Sequence, residues 1–149
     1  MANKDLDRKR AEFAYGCVKK FVKNASNGED KQKKYRGYIR NTPSIILNNG
    51  LGSTLAFMFS KRLKADGEIY NVIAQNIYDW LDKDYNNYLI TFKAKTKEED
   101  KLEELVNQVI ELDSSEYRAV TNEILALLVW LKRFVEGMVE GEDNGEWKW

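Results

Sequence analysis

The sequence predicts an all-α fold, a compact single-domain bundle of six to seven helices. Three observations carry that expectation. Proline is nearly absent, Pro43 being the only one in 149 residues. Leu, Ile, Ala, Lys and Glu are abundant, a composition that favours helix. Along most of the chain the apolar residues recur every three or four positions instead of alternating. A hydrophobic content of 43% supplies one core for a chain of this length. The bundle is expected over residues 1–140, and the acidic, glycine-containing residues 141–149 read as a flexible tail.

The first helix is expected over residues 5–23. At about 100° per residue, Leu6, Phe13, Ala14, Cys17, Val18 and Phe21 fall within one arc of about 140°. Arg10 lies in the middle of that arc, so it must either reach water along its stem or find a carboxylate, for which Glu123 is the candidate. Asn24 to Gly28 reads as a loop. A basic helix follows over 30–40. Thr42 and Pro43 predict a fresh start, with Thr42 as N-cap and Pro43 at the first helical position, giving a short apolar helix over 44–48. Gly50 suits the left-handed conformation past that helix's end. The next helix, over 51–64, buries Leu51, Leu55, Met58, Phe59 and Leu63 and breaks at 65–67. Residues 68–81 are amphipathic, whereas 82–95 fit either helix or irregular chain. Thr96 with Glu99 forms a capping box that opens a helix to about residue 112. Asp113 with Glu116 forms a second box, opening a final helix over 114–139. That helix is apolar on most sides and belongs in the centre, with Ala119, Ala126 and Gly137 on one face admitting a close neighbour.

The composition excludes several kinds of chemistry. The chain has no histidine and a single cysteine, Cys17. This removes the commonest general base, the Ser-His and Cys-His pairs, zinc clusters and intrachain disulfides. Cys17 sits among apolar residues and reads as a small core side chain. The carboxylates Asp79, Asp82, Asp84, Glu98, Glu99, Asp100, Glu103 and Glu104 read as solvated helix faces. Asn49-Gly50-Leu51-Gly52 lacks the Gly-Lys-Ser/Thr element of a phosphate loop and reads as a turn between helices. Neither an enzyme activity nor a cofactor, metal or small-molecule substrate is expected. No apolar run approaches the roughly 20 residues that span a bilayer, and no leader pattern opens the chain. The expectation is a soluble, cytoplasmic protein with no membrane partner.

Charge is the informative feature. The net charge is zero, yet residues 1–64 hold 15 Lys/Arg against 5 Asp/Glu, and residues 65–149 hold 9 against 19. Such asymmetry points to a polyanion partner or to charge-complementary association. The candidate nucleic-acid-binding residues are Lys19, Lys20, Lys23, Lys31, Lys34, Arg36 and Arg40, joined by Lys61 and Arg62. Cations of this kind release counterions from a phosphate backbone, and Tyr35 and Tyr38, interleaved among them, offer stacking faces.

Several blocks then stand in a distinctive order: Arg10-Ala11-Glu12-Phe13-Ala14-Tyr15; the Tyr-rich basic stretch 35–40 leading to Pro43; and Asn49-Gly50-Leu51-Gly52-Ser53-Thr54-Leu55-Ala56-Phe57. Near the end come Tyr117-Arg118-Ala119-Val120-Thr121-Asn122-Glu123 and Trp130-Leu131-Lys132-Arg133-Phe134. Over nearly the whole chain apart from the tail, this resembles the small helical subunit of Cmr (type III-B, RAMP-module) CRISPR effector complexes. Residues 82–95 match no motif of that family. The resemblance implies a non-catalytic subunit that stacks with other Cmr subunits and further copies of itself. These stacks lie beside the crRNA-bearing backbone and help hold crRNA and target RNA, while other subunits cleave. The alternative is a protein–protein adaptor that makes no direct nucleic-acid contact.

Overall fold

The computed structural model describes residues 3–93 and 96–140, and no strand occurs among them. Six α-helices follow in order: α1 Asn3–Lys23, α2 Glu29–Asn49, α3 Leu51–Lys61, α4 Gly67–Leu81, α5 Lys101–Ile110 and α6 Ser114–Met138. The expected tail lies outside the described residues. No described helix is long and apolar enough to cross a membrane.

The chain groups into two compact units. Unit 1 holds Met1–Pro43 and Leu125–Trp149, and unit 2 holds Ser44–Ile124. Both α2 and α6 therefore contribute residues to each.

In unit 1 the α1 periodicity behaves as expected: Ala14, Val18 and Phe21 are buried. Arg10 meets the Asp7 carboxylate on its own helix, Nη1 lying 3.2 Å from Oδ1. The predicted break at Thr42-Pro43 does not occur, because Pro43 lies inside α2. Thr42 is not an N-cap; its hydroxyl donates 2.6 Å back to the carbonyl of Tyr38, one turn earlier. Proline removes one helical hydrogen bond, but burial on both sides of it holds the helix together. Ile39 and Thr42 before it and Ile46 after it are all buried, on one continuous stripe.

In unit 2, α3, α4 and α5 pack against one another. Leu51, Leu55, Met58, Ile73, Ile77, Trp80, Leu81, Leu102 and Leu105 form the interior. Helix α3 ends at Lys61, earlier than predicted, so Leu63 falls in the following turn and is 83% exposed, not buried. Gly67 is required there, since a Cβ would collide with the carbonyl oxygen of Arg62. Residues 82–93 form a 3₁₀ turn, Asp84–Asn86, followed by irregular chain. Asn86 anchors that segment by donating 2.8 Å to the Trp80 carbonyl, and Phe92 stacks on Tyr78 with centroids 4.0 Å apart.

The Thr96–Glu99 box does not form. Thr96 donates instead to the Lys93 carbonyl at 3.0 Å, and a 3₁₀ turn, Glu98–Asp100, leads into α5. The Asp113–Glu116 box does form: Asp113 N–H donates to Glu116 Oε1 at 3.0 Å and Glu116 N–H to Asp113 Oδ1 at 2.8 Å. The small-residue face of α6 is open at two of its three positions, Ala126 being half-buried. Ala119 and Gly137 are exposed, and a Cβ at Gly137 would have nothing within 4 Å.

Candidate nucleic-acid interface

The basic residues divide by helix and by burial. Lys19, Lys20 and Lys23 lie on α1's last turns; Lys19 and Lys20 are exposed and Lys23 carries the helix end. There they also complement the negative end of the helix dipole. The loop that follows is tightly bonded. Asn24 Oδ1 accepts from Ser26 N–H at 3.0 Å and from the Ser26 hydroxyl at 2.7 Å. Asn27 Nδ2 donates to the Phe21 carbonyl at 3.0 Å, and Gln32 Nε2 donates to the Asn27 carbonyl at 2.9 Å. These bonds hold the basic end of α1 to the start of α2.

On α2, Lys31 and Lys34 are half-buried, and Lys33 pairs with Glu29 at 2.9 Å. Arg40 is exposed, its Nε 3.9 Å from Glu136 Oε1. Arg36 turns inward: it is buried, and its Nη1 donates 2.8 Å to the carbonyl of Val139, which takes it off the accessible face. Lys61 and Arg62 belong to unit 2. They fold over nearby rings of the same segment, Lys61 Nζ 5.5 Å from the Phe57 centroid and the Arg62 guanidinium 4.2 Å from that of Phe59.

The expected stacking faces are not available. Tyr35 is fully buried and stacked on Phe21 with centroids 4.1 Å apart, and Tyr38 is also buried. Burial pushes the Tyr35 hydroxyl well above the usual tyrosine range. Positions 35, 38, 39, 42 and 46 share one helical stripe, so these rings serve the core.

The charge division narrows when counted by unit. Residues of unit 1 include 15 Lys/Arg and 10 Asp/Glu, those of unit 2 include 9 and 14. No group of three or more His, Cys, Asp or Glu suited to a metal ion occurs among the described residues. A groove of about 480 Å³ lies along the first turns of α6, lined by Ser114, Tyr117, Arg118 and Thr121 among others.

The sequence matches the CRISPR-associated protein family Cas_Cmr5 over residues 6–138. The chain belongs to this family. It is similar to the protein described as CRISPR system Cmr subunit Cmr5 of Thermus thermophilus, with 27% identity over 130 residues, 87% of this chain and 92% of the relative. It is also similar to the X-ray crystal structure of a CRISPR-associated Cmr5 family protein from the same organism. That likeness has a TM-score of 0.66 and 25% identity, covering 90% of this chain and 97% of the other.

In this Cas_Cmr5 chain, two of the blocks that carried the resemblance meet inside unit 2. The Tyr117 hydroxyl accepts a hydrogen bond from the Gly52 N–H at 2.8 Å, satisfying a donor that the first turn of α3 would otherwise leave open. The Asn-Gly-Leu-Gly segment is thus a turn between helices, as expected, with its Gly52 amide already taken by a tyrosine. Sequence reasoning missed the bonds made at three further polar anchors. Glu123, buried, accepts 2.9 Å from the indole N–H of Trp80. Lys101, also buried, lies 2.6 Å from both Asp79 Oδ1 and Glu98 Oε1. Burial works against the Lys101 charge, but the two carboxylates outweigh it and hold its pKa above the ordinary value. Asp7 accepts 2.9 Å from the Trp130 indole, which with Arg10 keeps its carboxyl below the usual range. Only an isolated polar residue on an apolar stripe, as at Glu123, signals such anchors in advance.

Proposed function

We propose that this chain is a non-catalytic small subunit of a type III-B CRISPR (Cmr) RNA-targeting ribonucleoprotein. In this reading it stacks with other Cmr subunits and further copies of itself beside the crRNA-bearing backbone. Its accessible cations help hold crRNA and target RNA by their phosphates. Family membership across residues 6–138 carries the proposal. The trio Lys19, Lys20 and Lys23, with the exposed Arg40, supports the RNA contact, because a cluster of accessible cations on one unit suits a phosphate backbone. The absence of histidine from the sequence fits a subunit that leaves cleavage to others.

Replacing Lys20 and Lys23 by Glu should weaken RNA binding irrespective of sequence. It should also flatten the salt dependence by about 0.7 in the log–log slope per lost single-strand contact. Titrations of single-stranded and duplex RNA at two salt concentrations, with the chain alone and in the assembled complex, make the measurement. Unchanged RNA affinity of the double variant in the assembled complex would refute the contact.

The alternative is a protein–protein adaptor with no direct nucleic-acid contact. It is favoured by apolar side chains that unit 2 leaves exposed, Leu47 at 72%, Leu63 at 83%, Tyr88 at 77% and Ile110 at 72%. Co-purification with partner subunits but no RNA binding in any state would support it.

A further inference from the structure

Tyr15 is the exposed large aromatic residue of unit 1 among the described residues, 44% accessible on the same side of α1 as Lys19. Its ring meets Phe134 of α6 edge-on, centroids 5.4 Å apart at 77°. Phe134 in turn stacks on Trp130, centroids 6.0 Å apart at 24°. The result is a row of three rings crossing from α1 to α6. Asp7 fixes the Trp130 end by accepting its indole N–H at 2.9 Å.

A cation lies over each of the two outer rings. Lys19 Nζ lies 5.7 Å from the Tyr15 centroid, and the Arg133 guanidinium lies 5.2 Å from the Trp130 centroid. Both cations are exposed. Gly16 and Gly137 lie next in sequence or one turn away on the same two helices. An added Cβ at either would meet nothing within 4 Å, so the surface there is open. This is also where the Arg10–Tyr15 and Trp130–Phe134 blocks, far apart in sequence, come together.

From this we infer that the Tyr15–Phe134–Trp130 row is a stacking platform for an unpaired RNA base, with Lys19 and Arg133 receiving the flanking phosphates. The inference rests on the proposed RNA contact and gives it a site that the basic segment of α2 does not supply. A duplex keeps its bases stacked on each other, whereas a single strand offers a free π-face to any exposed ring. Exposed cations over both outer rings favour a polyanion over an apolar protein segment, since charge is depleted at the centre of protein interfaces.

Tyr15→Leu keeps the apolar bulk and removes the ring. Binding of a labelled oligouridine and of a labelled RNA duplex should be measured by fluorescence anisotropy, using the full chain alone and in the assembled complex. The expected result is a loss of about 5- to 150-fold for oligouridine, the range that stacking of one base provides. Duplex affinity should change by less than about twofold, and Tyr15→Phe should bind as the parent does. Three results overturn the platform while leaving the proposed function standing. In the first, Tyr15→Leu is unchanged while Lys20→Glu with Lys23→Glu weakens binding. In the second, oligouridine and duplex lose affinity equally. In the third, partner subunits are released with RNA affinity intact, which would make the row a protein contact. No binding of any RNA by the parent chain in either state overturns both.

Discussion

Two glycines two residues apart should respond differently to alanine. Gly50, between α2 and α3, has φ 88° and ψ 156°, a region in which a side chain is strained wherever it points. A Cβ there would also stand 3.3 Å from the Tyr117 hydroxyl oxygen, closer than ordinary contact. Gly50→Ala should therefore destabilise by about 1–3 kcal/mol from the backbone alone, with a further contribution from the crowding. Gly52 lies inside the first turn of α3, and a Cβ there would meet Tyr117 at 3.6 and 3.8 Å, ordinary packing distances. Its N–H would still reach the tyrosine. Gly52→Ala should leave stability unchanged or raise it by roughly 0.5–1 kcal/mol, because alanine loses less entropy in a helix. The crowding at position 50 is separable. Tyr117→Phe removes the oxygen and, by itself, costs about 0.5–1.5 kcal/mol for the lost hydrogen bond. In that background Gly50→Ala should cost only its backbone part, so the double variant loses less than the sum of the singles. Urea denaturation midpoints, at unchanged slope, give all four values. Equal effects of alanine at positions 50 and 52 would refute this account of the turn.

Two further predictions concern the anchors of unit 2. Trp80→Phe removes the N–H that meets the buried Glu123 carboxylate, and should cost about 1.5–3 kcal/mol for a charge-assisted bond, plus roughly 1 kcal/mol for the smaller ring. A urea-derived loss below about 1 kcal/mol would show that the indole bond holds little. Lys101→Met should destabilise by about 0.5–1 kcal/mol at neutral pH, a modest figure because Asp79 and Glu98 are both well exposed. Since the folded state raises the Lys101 pKa, this contribution is complete below the ordinary lysine value of about 10.4 and fades as pH rises through the raised one. The difference between parent and variant should thus be flat from about pH 6 to about 9 and shrink in strong alkali; a difference that grows in alkali would contradict the sign.

Local signals carried most of the secondary structure. The reciprocal box at Asp113 and Glu116 placed the start of α6 because both of its bonds are made within four residues. The helical stripe of α1 was legible in the same way, and the glycine turn at Gly50 was marked by a residue type that only its backbone conformation explains. The absence of histidine and the lopsided charge, features of composition, bounded the chemistry before any fold was known.

Tertiary packing decided most of the rest. It carried α2 straight through Pro43, since burial of Ile39, Thr42 and Ile46 on one stripe outweighs a single missing hydrogen bond. At Thr96 the outcome was local, the hydroxyl serving the carbonyl of Lys93 three residues back in place of the box. Packing also sorted the candidate interface, burying Arg36, Tyr35 and Tyr38 while leaving Lys19 and Lys20 in water. A sequence records that a stretch is basic and aromatic, but each residue's helical angle against the core determines which of those side chains a ligand can reach. For the same reason the row formed by Tyr15, Phe134 and Trp130 exists only in three dimensions, because its members come from opposite ends of the chain and meet only when α1 and α6 pack.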